Sequence, residues 1–280
     1  MPGLSNIRYS REKTISDVRD YYTFLTKMYL DESEVIEPPV EGWPYIDNLR
    51  SMGKTDEVMA LLRHLPYIRR NEDVGPEAAP GCSFADWQQL AQVTSPDDDD
   101  GRSLRECSEP PELVDDIPSL SYGRRSEPAF LLDTWRGVVH WYECEDAIIY
   151  NNTNNLDWVA PVPEMDDASD WAPEREAEWR AQHPAWAVAD FFKILRGQFL
   201  ALNVVPIGPL EVYDIYTVRN DDSAVVSAIQ QIYRQHGWPD LLTFRKQDCL
   251  RAVKTTLHEE FPDFYVEGCD EEDGGEDGGR

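Results

Sequence analysis

The stretch 129–144, AFLLDTWRGVVHWYEC, constrains the fold more than any other part of the chain. Two apolar runs flank a short polar centre that ends in Gly, the pattern of two antiparallel strands joined by a tight turn. A two-residue turn at Arg136-Gly137 is expected. Trp135 then faces Val138, Thr134 faces Val139, and Asp133 faces His140. Directly opposed residues have Cβ atoms about 5 Å apart, so this carboxylate and imidazole come within hydrogen-bonding reach.

Helices are legible on both sides of the hairpin. In 14–30 the apolar residues Ile15, Val18, Tyr22, Leu25 and Tyr29 recur every three or four positions, one stripe of a helix. Thr14 and Asp17 suit a capping start for it. Residues 55–65 place Val58, Leu61, Leu62 and Leu65 on one side, and Pro66 ends that helix by forcing Leu65 out of helical geometry. A short helix is expected in FADWQQLAQV, 84–93. A longer one spans 184–202, with Val188, Phe192, Leu195, Phe199 and Leu202 as its stripe and Pro184 in its first turn. A strand PLEVYDIY follows at 209–216, then a helix over 222–235 that Gly237 ends in left-handed geometry. A last helix covers 245–260, with Leu250, Val253 and Leu257 inward. The tripeptide GWP occurs at 42–44 and 237–239. It is read as convergent use of Gly to turn, Trp to pack and Pro to stop, with a decayed repeat as the alternative.

These elements define an α+β fold, a small antiparallel or mixed sheet flanked by five to six helices. One domain is expected over 1–266. Near 71–128, composition rich in Pro, Asp, Glu, Ser and Gly predicts a flexible acidic insertion, and 267–280 reads as a disordered acidic tail.

Charge narrows the function classes. The formal net charge of the 280 residues is -28; segments 94–128 and 267–280 carry -6 each, so the remaining residues are themselves acidic at -16. Phosphate backbones and anionic membrane surfaces both require a basic footprint, so nucleic acid and membrane are not the expected partners. A protein partner is expected, and a basic one suits the field. No run approaches the ~18 apolar residues of a membrane helix. No export signal is read at the start, and the five Cys show no CxxC pair, which points to free thiols of a reducing compartment. An intracellular, cytoplasmic location follows, with the nucleus open. The glycosylation sequon at 151–153 is read as chance without an export signal.

An Asp–His pair is two-thirds of a hydrolytic triad, but no nucleophile accompanies Asp133 and His140. Cys144 lies four residues beyond His140, about 13 Å along the strand, and no GxSxG elbow exists. The pair is therefore read as a cross-strand contact that fixes the hairpin. The alternative is an enzyme, or an accessory protein of fungal secondary metabolism, using Asp133 and His140 in a pocket. The five His (64, 140, 183, 236, 258) fall in separate segments without HExxH. Aligning PDDDDG, 96–101, with a calcium loop puts Pro96 at the first ligand and Cys107 at the bidentate Glu position, so no metal is assigned. No phosphate-binding Gly loop is present, and no cofactor is implied. Trp158, Trp171 and Trp179 lie in an otherwise polar acidic segment and are the candidates for a partner surface.

Residues 129–200 resemble the later part of the SUKH superfamily, which includes fungal cell-wall regulators and bacterial toxin-immunity proteins. The resemblance rests on a strand ending in Leu131-Leu132-Asp133, a Gly-led strand GVVHWYE (137–143), and a helix with an aromatic pair, VADFFKIL (188–195). It implies a twisted sheet flanked by helices, activity through binding other proteins, and no catalytic residues. The stretches EPPVEGWPYI and LLRHLPYI are also similar to uncharacterised proteins of filamentous fungi. Together these readings give a non-enzymatic protein-interaction module with an acidic surface.

Overall fold

The computed structural model describes residues 4–70, 75–94, 104, 117–121, 129–150, 159–163, 167–218 and 223–265. In chain order the elements are α1 (Arg11–Met28), β1 (Val35–Ile36), α2 (Asp56–His64), β2 (Tyr67–Ile68), β3 (Glu77–Ala79), β4 (Cys82–Ser83), α3 (Trp87–Val93), β5 (Ala129–Asp133), β6 (Val138–Tyr142), α4 (Asp146–Tyr150), α5 (Glu174–Gln182), β7 (Ala185–Ala187), α6 (Val188–Leu200), β8 (Val204–Pro206), β9 (Val212–Asp214), α7 (Ser223–Gln235) and α8 (Lys246–Glu260). The strands form small antiparallel sheets, β1-β2, β3-β4, β5-β6-β7 and β8-β9, so the class is α+β. Among the described residues no helix is long and apolar enough to cross a membrane.

Local chemistry explains the element bounds. α1 begins at Arg11 and not at Thr14, because Ser10 is extended and its hydroxyl accepts the Lys13 N–H. Thr14 is instead a buried residue inside the helix. Thr55 caps α2 in the same way through the Val58 N–H, and Leu65 is extended ahead of Pro66. α7 ends in a Schellman turn: Gly237 has φ +103° and the Trp238 N–H reaches back to the Tyr233 carbonyl. The two GWP segments use their tryptophans differently. The Trp43 indole donates to Leu65 just after α2, which follows it in sequence, whereas Trp238 donates to Phe199 in α6, which precedes it.

Residues 185–187 correct the expected helix. They form β7, paired with β6 as Val138↔Ala187, Val139↔Trp186 and His140↔Ala185. The open edge of β6 takes up their backbone groups, and α6 starts only at Val188.

The hairpin turn also differs from expectation. The register is Asp133↔Val138 and Leu131↔His140, so four residues, 134–137, form the loop. The Gly137 N–H donates to the Asp133 carbonyl, and Asp133 Oδ1 accepts the Trp135 and Arg136 amides at 3.0 and 2.8 Å. An Asp that caps its own turn outcompetes the tighter two-residue connection. Asp133 and His140 are therefore diagonal neighbours on one face of the sheet, not opposed.

Strand alternation divides the hairpin between two environments. Phe130, Leu132, Val139 and Trp141 enter the main core, where Phe130 and Trp141 meet Phe191 of α6 at ring separations of 5.0 and 6.0 Å. α6 packs in turn on α1, with Tyr21 5.2 Å from Phe192 and Phe24 6.2 Å from Phe199. Each fully buried ring of this kind contributes roughly 1.5–3 kcal/mol by leaving water. The reverse face carries Leu131, Asp133, Val138 and His140, all buried.

Parts of the segment read as a flexible insertion belong to the core. Ala78, Cys82, Phe84, Trp87 and Ala91 are buried in it, and Tyr21 Oη donates to the Ala78 carbonyl. Residues 117–121 run beside β5, with the Leu120 N–H on Phe130 and the Leu132 N–H on Pro118. Asn48 Nδ2 holds the carbonyls of Ala91 and Thr94, Lys54 Nζ holds that of Ile117, and Leu104 packs against the core. The acidic run 96–101, the sequon and the tail 267–280 lie outside the described residues.

Gly137 has φ +76°, and a Cβ there would sit 2.7 Å from the Tyr9 amide nitrogen and 2.9 Å from the Arg8 carbonyl carbon. Left-handed strain and overpacking against backbone act together in Gly137→Ala, which is expected to lose about 2–4 kcal/mol in urea unfolding. A loss under about 0.5 kcal/mol would contradict this docking of the hairpin tip.

Candidate functional site

The reverse face of the hairpin is closed by α5. Its sequence EREAEWRAQ places Glu176 and Arg180 four residues apart, on one helical face with Trp179 beside them. Arg180 Nη1 donates to Asp133 Oδ2 at 2.8 Å and also lies 3.2 Å from His140 Nε2. Nε and Nη2 of the same guanidinium hold Glu176 Oε2 at 3.1 and 3.0 Å. Arginine has no acceptor, so His140 Nε2 must accept, which leaves the proton on Nδ1, 3.4 Å from the His183 carbonyl. The imidazole also meets the Trp179 ring edge to face at 4.9 Å, and the Arg180 guanidinium lies over the same indole at 4.6 Å.

His140 has no exposed surface, and its pKa is lowered from 6.5 to about 3, first by burial and then by the Arg180 charge; Asp133 opposes both and is outweighed. The site thus contains a neutral imidazole with both nitrogens engaged and a carboxylate with both oxygens engaged. The pairing expected between Asp133 and His140 is indirect and runs through Arg180. Arg180 and Glu176 are not among the candidates that the sequence singles out. Their signal was a four-residue Glu-Arg spacing within a segment that otherwise reads as solvated charge. Cys144 does not join the set: its thiol lies near the Glu145 carbonyl, and burial raises its pKa well above the ordinary value.

The partner candidates separate. Trp179 is buried against Leu131 and Ile117, which removes it from any surface. Trp171 is half-buried, with its ring 4.1 Å from the Arg136 guanidinium carbon. Trp158 lies outside the described residues. Trp135, not singled out in the sequence, stands at the turn with 71% of its surface exposed, and Arg136 lies over its ring at 4.2 Å. Among the described residues no group of three or more His, Cys, Asp and Glu could hold a metal ion. No family model matches the chain, and no significant match is found to curated proteins or to solved structures.

Removing the cation from two buried carboxylates is costly. Arg180→Met is expected to destabilise by about 3–5 kcal/mol in denaturant titration. The triple variant with Asp133→Asn and Glu176→Gln should recover part of that loss, and an equal or greater loss would refute the charge argument.

His140 also predicts a pH dependence. The unfolded chain protonates it below about 6.5 and the folded protein only near 3. Unfolding therefore takes up a proton between those values. Stability is full above pH 6.5 and falls as pH drops, by about 1.4 kcal/mol per pH unit from this group. Subtracting the pH–stability curve of His140→Phe from that of the natural protein should isolate this slope; coincident slopes would disprove it.

Proposed function

We propose that the protein is a non-catalytic interaction module that binds a protein partner through the tip of the β5–β6 hairpin, with its acidic surface attracting a basic partner. The observation that carries this reading is Trp135. It is a large aromatic side chain left 71% exposed on a turn that Asp133 and Gly137 hold in one conformation. Exposed tryptophans on pre-formed elements lose little freedom on binding and dominate interface energetics. The net charge of -28 supplies long-range attraction for a basic surface. The engagement of Asp133 and His140 by Arg180 supports a framework role for the pair over its use as a general base. The resemblance of 129–200 to the SUKH superfamily agrees with a binding role. An intracellular location belongs to the same reading.

Co-purification tests it. Proteins retained by the full chain should be lost, or reduced at least tenfold, with Trp135→Ala at an unchanged melting temperature, and should elute as salt rises. Retention indifferent to both the substitution and salt would overturn the proposal.

A further inference from the structure

The C-terminal helices carry charge opposite in sign to that of the whole chain. Residues 223–258 hold five Lys or Arg against two acids, a net of +3 with His neutral, in a chain of net -28. On α8 the charges sort onto two flanks. Gln247, Arg251, Lys254 and His258 are exposed at spacings of four, three and four, which is one side of a helix; Asp248, Thr255 and Glu259 form the next side. Lys246 belongs to neither, since its ammonium holds the carbonyls of Thr26 and Leu30 around the C-terminal end of α1. Arg251 reaches Asp248 at 3.1 Å across the boundary between the flanks with 74% of its side chain exposed, a weak pair that another carboxylate can replace.

The chain beyond α8 leaves the fold beside the cationic flank. The Phe261 N–H closes the helix on the Leu257 carbonyl, and the short helical turn Pro262–Phe264 follows. Phe264 meets Tyr213 of β9 at 5.9 Å, and the Tyr265 ring stands 5.2 Å from that of His258. Continued helix would carry Tyr265 about 10 Å past His258, so the ring contact means that the chain has turned back. The residues that follow, EGCDEEDGGED at 267–277, hold seven acids and no Lys or Arg. We infer that this segment docks along the Arg251, Lys254 and His258 flank as an intramolecular strap. Arg251 lies about 10 Å from His258 along the helix, a span that about four extended residues cover, so the acids at 270–273 reach Lys254 and Arg251. Tethering sets their effective concentration on the order of millimolar, which favours this occupant over a free acidic partner. Docked, the segment withholds the flank from outside anions, an autoinhibitory contact that stands apart from the hairpin tip.

The test uses the full chain with a nitroxide on Cys269, after Cys107→Ser and Cys144→Ser; Cys82 and Cys249 are buried and do not compete for the reagent. The backbone amides of Arg251, Lys254 and His258 should lose at least about half of their NMR intensity at about 0.01 M salt and regain it at about 1 M, where the screening length falls to about 3 Å. Amides of α2 and of the β5–β6 hairpin should keep theirs. Arg251→Glu with Lys254→Glu, both exposed, should abolish the loss at an unchanged melting temperature. Changing the seven acids to Asn and Gln should do the same. A loss that is absent, spread evenly over the three elements, or unchanged by either set of substitutions would overturn the strap. So would a loss in an isotopically labelled copy without the nitroxide when mixed with a nitroxide-bearing one, which would assign the contact to a second molecule.

Discussion

A single buried guanidinium determines how the reverse face of the hairpin is covered. Arg180 is shared by Asp133 at the end of β5 and Glu176 one turn earlier on α5. Each carboxylate alone would cost several kcal/mol to take out of water. Both become tolerable only when α5 lies across the sheet at one height, because sliding the helix by a residue would carry the cation away from Asp133. Ion pairs of this kind add little net stability over apolar residues of the same volume. Their effect here is positional, and His140 completes it by accepting a further Arg180 hydrogen while staying uncharged.

The same carboxylate links the interior to the surface. One oxygen of Asp133 faces the buried arginine; the other caps the turn amides and so fixes where Trp135 and Arg136 emerge. The hairpin tip is also seated on the backbone of residues 8 and 9, which Gly137 alone permits at that distance. The exposed indole is therefore held by buried chemistry on one side and by chain packing on the other. That arrangement suits recognition, where side-chain freedom retained in the free protein must be given up on binding.

Much of this architecture was legible in the sequence, and the failures have physical causes. Helices α1, α2, α6, α7 and α8 are legible because a stripe of period 3.6 is a local signal, and the short α3 is legible within 84–93. β7 did not, because Ala185, Trp186 and Ala187 continue the apolar run of the helix behind them; only the open edge of β6, a partner distant in sequence, makes them a strand. Arg-Gly alone suggests a two-residue connection, but an Asp ahead of it with Gly at the left-handed position marks the longer loop. The hairpin pair Asp133 and His140 was found, but the arginine that joins them comes from a helix 40 residues away, and a Glu-Arg spacing of four is common on solvated helices. Composition misled at 75–83 and 117–121, where short segments between polar runs are woven into the core by contacts with α1 and β5.

The anchoring of Thr94 by Asn48, with Leu104 packed on the core, separates electrostatics from architecture. Between these two fixed points the sequence carries four consecutive aspartates, 97–100. Their charge adds to a field that salt screens over about 10 Å at 0.1 M, whereas the hydrogen bonds of Asn48 and the packing of Leu104 act at contact range and are screened much less.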